Sequence, residues 1–261
     1  MFFTRFETYN FNRIFYIIIA FYGKLIHVKQ NHTIKAVLFD LDGTLIDVDL
    51  KKFIPGYLKL LSESIAHLVP QKKVISKLLK ASEAVNNNDG TQTNDSRFAE
   101  IFFPLEGFTR EEIQPYFDEF YETKFVELKK FTKKKESARH VVQHVFEKNL
   151  KAVVATTPVL PLTAIKQRLD WAGVGDFNFA LITHIENSRA NKPNLMYYEE
   201  IIDFLGIPPE HCLMVGDEAK DMVAAKIGCP TFLVESSNTD LTQSILEPSY
   251  QGNLEDILKI L

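Results

Sequence analysis

Residues 35–39 (KAVLF) form a short apolar run that stops at Asp40, and LDGTL follows at once. A short run that is apolar after its first residue reads as a strand buried on both faces of a parallel sheet. Two later runs repeat the pattern: 151–155 (KAVVA) before Thr156, and 212–215 (CLMV) before Gly216 and Asp217. A third, 231–234 (TFLV), ends at Glu235, and 179–182 (FALI) is a fifth candidate strand. Helical patterns lie between them. Residues 137–148 space Val141, Val145 and Phe146 helically before Asn149, and 162–172 carry Ile165, Leu169 and Trp171 before Gly173. Residues 195–205 are amphipathic before Gly206, and 221–227 lead to Gly228. This alternation predicts an α/β fold: a Rossmann-like parallel sheet covered by helices on both faces, built from residues 33–48 and 132–261. In such sheets ligands bind outside the carboxyl ends of the strands.

Residues 49–131 break the rhythm. They are polar and helical, with runs at 53–67, 72–85 and 110–130, and are expected to form an inserted all-helical subdomain. The stretch 86–95 (NNNDGTQTND) has the composition of an exposed, mobile connection.

The 261 residues suffice for one large or two modest domains, and 46% hydrophobic with 25% charged residues is ordinary for a globular protein. With 30 Lys and Arg against 34 Asp and Glu, the net charge of −4 argues against nucleic acid as a partner. Cys212 and Cys229 lack zinc-site spacing, so buried, reduced thiols in a cytoplasmic protein are expected. Near the start, residues 14–22 (IFYIIIAFY) follow Arg5 and Arg13. A bilayer-spanning helix needs about 20 apolar residues, so membrane association is not expected from this run. A signal segment has this general pattern, but no small-residue cleavage site follows clearly. Residues 1–32 are read as an extension outside the fold.

Two acid clusters stand at strand ends. Asp40 and Asp42 are two apart, followed by Gly43 and Thr44; Asp217 and Asp221 follow the CLMV run. A polar loop with an Asp-Gly turn accounts for the first cluster taken alone. An acid suited to a helix N-terminus accounts for Asp221. Neither explains why two acid clusters lie on the same sheet edge. Clustered Asp oxygens are what a hard cation such as Mg2+ requires, and the cation in turn draws in phosphate oxygens. Thr156 offers a hydroxyl and an N–H to an anion, and Lys192 in the NKP triplet offers a positive charge.

The order DxDGT, strand-end Thr, Lys-Pro, GDxxxD resembles the haloacid dehalogenase-like hydrolase superfamily, with all four motifs matched between Asp40 and Asp221. The resemblance implies that Asp40 is a nucleophile forming an aspartyl-phosphate. It implies that Asp42 first protonates the leaving oxygen and then deprotonates water. Thr156 and Lys192 would hold the phosphoryl oxygens, with Gly43, Thr44 and Thr157 beside them. Asp217, a carboxylate of Asp40 and the backbone carbonyl of Asp42 would bind Mg2+, with Asp221 coordinating through water or orienting Lys192. An acid at position 42 implies phosphatase rather than dehalogenase chemistry. The insert resembles the small helical cap of phosphoglycolate phosphatase-like and beta-phosphoglucomutase-like members, which implies a small phosphorylated metabolite as substrate. Family members often carry Asn after the motif-two Thr or Ser; here Thr157 takes that place, which implies altered substrate contacts. A phosphomutase shares every one of these motifs, and a catalytically idle binding protein on the same fold is the alternative from another class. Cap residues such as Arg97 and Arg110 are read as ordinary surface charges. The chain is expected to be a monomer or a homodimer.

Overall fold

A computed structural model describes residues 33–236 and 246–261. The expected extension, residues 1–32, lies outside the described residues.

Six parallel strands form the sheet: β1 Ala36–Phe39, β4 Lys151–Val154, β5 Leu181–Ile182, β6 Cys212–Gly216, β7 Thr231–Val234 and β8 Tyr250–Gly252. Their order is β5-β4-β1-β6-β7-β8, so the KAVLF strand lies at the centre. Its side chains alternate between two apolar layers. Val37 and Phe39 join one cluster with Val141, Val145, Ile165 and Leu169, while Ala36 and Leu38 join another with Tyr197, Tyr198 and Ile201. Those partners come from α5 (Glu136–Glu147) and α6 (Leu162–Ala172) on one face and α7 (Leu195–Leu205) on the other. Helices on both faces are why β1 and β6, the two central strands, carry no polar residue: each side chain has a layer to enter.

Register fixes the edge where chemistry can occur. Phe39 pairs with Val154 on one side and Val215 on the other. Asp40 therefore leaves the sheet level with Ala155 and Gly216, its N–H donating to the Val215 carbonyl at 2.8 Å.

A second, two-stranded sheet pairs β2 (Ile46–Val48) antiparallel to β3 (Thr132–Lys134). Between them run α1 (Leu50–Ser64), α2 (Gln71–Asn86), α3 (Asn94–Phe102), α4 (Arg110–Thr123) and a 3-10 segment, Phe125–Phe131. The chain thus leaves for the helices and returns side by side. Phe125 stacks on Trp171 of α6 with ring centroids 5.5 Å apart, so the helical insert shares an aromatic contact with the sheet's own helix layer. Such pairs contribute roughly 0.5–1.5 kcal/mol beyond the area they bury.

Three expectations need correction. The run at 110–130 is not one helix: α4 stops at Thr123 and a 3-10 segment follows. The helix expected at 221–227 is a short α8 (Ala219–Met222) continued by 3-10 turns over Val223–Ile227. Residues 86–95 are exposed only in part: Asn86, Asn87, Asp89 and Thr91 face solvent. Asn88 and Asn94 are buried, and α3 begins at Asn94 with the Thr93 hydroxyl accepting from the Ser96 N–H. Of its asparagines, Asn88 and Asn94 bond to protein groups inside the structure, while Asn86 and Asn87 stay exposed.

Candidate active site

The carboxyl ends of β1 and β6 bring both acid clusters together. One carboxylate oxygen each from Asp40, Asp217 and Asp221 lie within 4.8 Å of one another, and all three residues are buried. Lys192 reaches in from the loop before α7. Its ammonium donates to Asp40 Oδ1 at 2.7 Å and to Asp221 Oδ1 at 2.5 Å, with none of its side chain exposed. Burial alone would lower the Lys192 pKa; Asp221 first and Asp40 second outweigh it and hold the ammonium well above its usual range. Lys192 is therefore a fixed positive charge.

Two glycines make this convergence possible. Gly43 has φ +79°, and a Cβ there would lie 1.9 Å from Asp217 Oδ2. At Gly216 a Cβ would lie 2.2 Å from the Asp221 carboxylate. Asp217 also accepts from the Ser236 hydroxyl at 2.9 Å and the Thr44 hydroxyl at 3.3 Å. Thr44 is buried, so its side chain supports an acid instead of facing an open pocket.

Three carboxylates share one ammonium, which leaves a buried negative excess. Burial first, then the charge of Asp40, pushes the Asp217 carboxyl up to about 7. A divalent cation with oxygen preference fits this donor set, since it would take the place of the missing counter-charge. The Asp42 carboxylate is not part of the cluster. It is paired with the Arg168 guanidinium from α6, while about a third of the Asp42 side chain stays exposed.

Thr156 is buried just past β4, its carbonyl accepting from the Tyr197 and Thr183 hydroxyls at 2.8 Å each. These bonds fix the backbone that presents its side chain. Thr157 is half-buried beside it. Arg97 and Arg110 form ion pairs within the helical insert, with Glu100 and Asp95.

Several site residues escaped sequence reasoning. Arg168 sits on the apolar face of α6 with Ile165, Leu169 and Ala172, and that misplaced charge was a readable signal. Lys135 donates to the Gly43 carbonyl and lies 3.3 Å from Asp47, bracing the DxDGT turn. Asn191, next to Lys192, is held by the helical insert. Asn94 Nδ2 donates to Asn191 Oδ1 at 2.9 Å, and Asn191 Nδ2 donates to Asn86 Oδ1 at 2.9 Å. Asn88 Nδ2 completes the chain at Asn94 Oδ1, also 2.9 Å. Neither Ser236 nor these asparagines had a recognisable sequence pattern.

The chain's fold is shared with solved structures. A predicted phosphoglycolate phosphatase from Haemophilus somnus 129pt is 18% identical, with TM-score 0.54 over 87% of this chain and 97% of that one. A HAD phosphatase from Thermococcus onnurineus gives the same figures. The L-2-haloacid dehalogenase of Xanthobacter autotrophicus is 15% identical, with TM-score 0.51 over 87% of this chain and 98% of that one. At such identities the likeness is one of fold. No curated protein sequence matches the chain. The family model of the haloacid dehalogenase-like hydrolases matches residues 34–247, which takes in every strand of the sheet but β8, the helical insert and all the acids described above. The chain is a hydrolase and belongs to the haloacid dehalogenase-like hydrolase family.

Proposed function

We propose that the protein is a magnesium-dependent phosphomonoesterase for small phosphorylated metabolites. The observation that carries this reading is the buried triad of Asp40, Lys192 and Asp221, set beside Asp217 at the strand ends. It supplies a nucleophile with a fixed cation beside it.

Asp40 uses its second carboxylate oxygen to attack phosphorus. One Oδ–P bond forms as the bond from phosphorus to the leaving oxygen breaks, giving an aspartyl-phosphate. Asp42, whose side chain is about a third exposed, gives its proton to the leaving oxygen. Water then attacks the phosphorus of the intermediate, Asp42 takes the water's proton, and Asp40 and inorganic phosphate are released. Lys192, held by Asp221, stabilises the negative charge on the phosphoryl oxygens, and the Thr156 hydroxyl donates to one of them. Magnesium, held by Asp40, Asp217 and the backbone carbonyl of Asp42, would neutralise the acid cluster and polarise a phosphoryl oxygen when bound. The helices of residues 49–131 serve as a cap that limits substrate size and excludes water.

Phosphate release from a panel of phosphorylated metabolites, with and without magnesium, tests the reading. Asp42→Asn provides the sharper check. With an aryl phosphate, whose leaving group needs little acid, the phosphoryl group should accumulate on Asp40 because the second step lacks its base. General acid–base assistance is worth about 10²–10⁴-fold, so turnover should fall at least to the low end of that range. Intact mass after rapid quenching shows the retained phosphoryl group. Turnover by Asp42→Asn at the unaltered protein's rate would remove Asp42 from the mechanism.

A further inference from the structure

Lys135 stands where the helical insert returns to the sheet. It follows β3 directly and occupies the N-cap of α5 with φ −89° and ψ 122°. Its neighbour Lys134 ends β3 opposite Ile46 and lies at Gly173, where a Cβ would come within 2.6 Å of the Lys134 Cε. The Lys135 side chain crosses to the DxDGT turn instead, and only 14% of it is exposed. Its ammonium donates to the Gly43 carbonyl and lies 3.3 Å from Asp47. The turn's own N–H groups go elsewhere: Thr44, Leu45 and Ile46 donate to the Leu41 carbonyl, and Gly43 donates to the Ile46 carbonyl. The bond to the Gly43 carbonyl is therefore supplied by the insert's return strand. That carbonyl sits at a sensitive point. The one before it belongs to Asp42 and is a proposed magnesium ligand. The Gly43 Cα is so close to Asp217 that a Cβ would meet Oδ2 at 1.9 Å. A small shift of the turn moves one metal ligand and presses on another, or releases it. Magnesium demands near-ideal octahedral geometry at about 2.0–2.1 Å, whereas calcium accepts looser arrangements at about 2.3–2.6 Å.

We propose that Lys135 is a positioning residue for the divalent cation. Through the Gly43 carbonyl it holds the DxDGT turn at the spacing from Asp217 that magnesium requires. It thereby ties the cation's affinity to the place where the insert rejoins the sheet. The proposal rests on the metal site of the phosphomonoesterase reading. It also carries a sign opposite to that of charge alone. A second cation beside the acid cluster repels magnesium, so on Coulomb's law alone removing the ammonium would tighten binding. Loss of positioning weakens it, and weakens the geometrically strict ion more than the tolerant one.

Calorimetry with magnesium and with calcium, on the full chain and without substrate, tests this. Lys135→Met should bind magnesium about tenfold more weakly, the worth of roughly one charge-assisted hydrogen bond. Calcium should lose less, so the variant's preference between the two ions shifts toward calcium. Lys135→Arg, which keeps the charge and a donor, should recover most of the magnesium affinity. Asp47→Asn removes the ion pair but leaves the bond to Gly43, and should bind magnesium within about twofold of the unaltered protein. Tighter binding by Lys135→Met reduces the lysine to a charge. Unchanged binding with a lower metal-free Tm reduces it to a brace for the fold. Either result overturns the proposal. A tenfold loss in Asp47→Asn as well would move the effect to the ion pair and overturn the route through Gly43. If Lys135→Met does not fold, hydrogen exchange in the unaltered protein decides, because coupling between two sites is reciprocal. Magnesium should then slow amide exchange in residues 132–138 as well as in 41–46. Slowing confined to the strand-end acids and the 41–46 turn overturns the proposal. Magnesium bound as expected, with no phosphate released from any ester, upholds the proposal and ends the phosphatase reading. No magnesium binding by the unaltered protein ends both.

Discussion

Asp217 shows how a single residue in this site couples metal, pH and stability. Its carboxyl titrates near 3.8 in the unfolded chain and near 7 in the folded, metal-free protein, raised by burial and then by Asp40. Between those values the folded state keeps a proton that the unfolded state gives up. Stability is therefore lost as pH rises from about 4 to about 7, and above that the full penalty applies. A shift of this size corresponds to at most about 4 kcal/mol. A bound divalent cation should cancel it. Metal-free protein is expected to melt at a lower temperature at pH 8 than at pH 5.5, and magnesium should raise Tm more at the higher pH. Asp217→Asn should show a smaller fall, since the buried Asp221 carboxyl is raised as well, and should lose most of the magnesium effect. An equal magnesium-induced rise in Tm at both pH values would contradict this account of the acid cluster.

At the scale of elements, the loop between α2 and α3 does more than connect them. The Asn94 side chain bonds Asn191, the Pro158 and Ala190 carbonyls and Asn88, while its N–H donates to the Ser188 carbonyl. Asn191 precedes Lys192, so the helical insert braces the backbone from which the Lys192 ammonium projects. Asn94→Ala would orphan Asn191 Oδ1 and leave Asn88 Nδ2 only its bond to the Gln92 carbonyl, costing about 1–3 kcal/mol of stability. If the network also positions Lys192, kcat should fall by about tenfold at temperatures far below the melt, with KM less affected. A folded Asn94→Ala with unchanged kcat would reduce the network to a packing role. The same loop shows where sequence reading stopped. The central strands and the α6 and α7 boundaries were legible, because all-apolar runs ending at acids and helical runs ending at glycine have few other solutions. Asn88 and Asn94 were not, because a buried asparagine and a solvated one look alike until their partners are known. Arg168 lies between these cases. Its helical phase was in the sequence, but only the chain's return through β3 and α5 brings α6 beneath α1, with Phe53 over the guanidinium and Asp42 against it.

For the whole molecule, the question is how much chain the site needs. Residues 34–261 form one compact unit by themselves. Every acid and cation named in the site lies in that unit, as do both apolar layers of the sheet. The central strand β1 starts at Ala36, and the Lys35 N–H already donates to the His211 carbonyl at 2.8 Å. A chain beginning at Asn31 therefore keeps each of these contacts. It is expected to melt within a few degrees of the full chain and to keep its kcat/KM within about twofold, since surface changes away from such contacts usually stay within about 0.5 kcal/mol. Thermal unfolding and phosphate release, measured side by side on the two chains, check this. A much lower melting temperature would place stabilising contacts in residues 1–30. An unchanged melt with lost turnover would give those residues a part in catalysis that none of the described geometry requires.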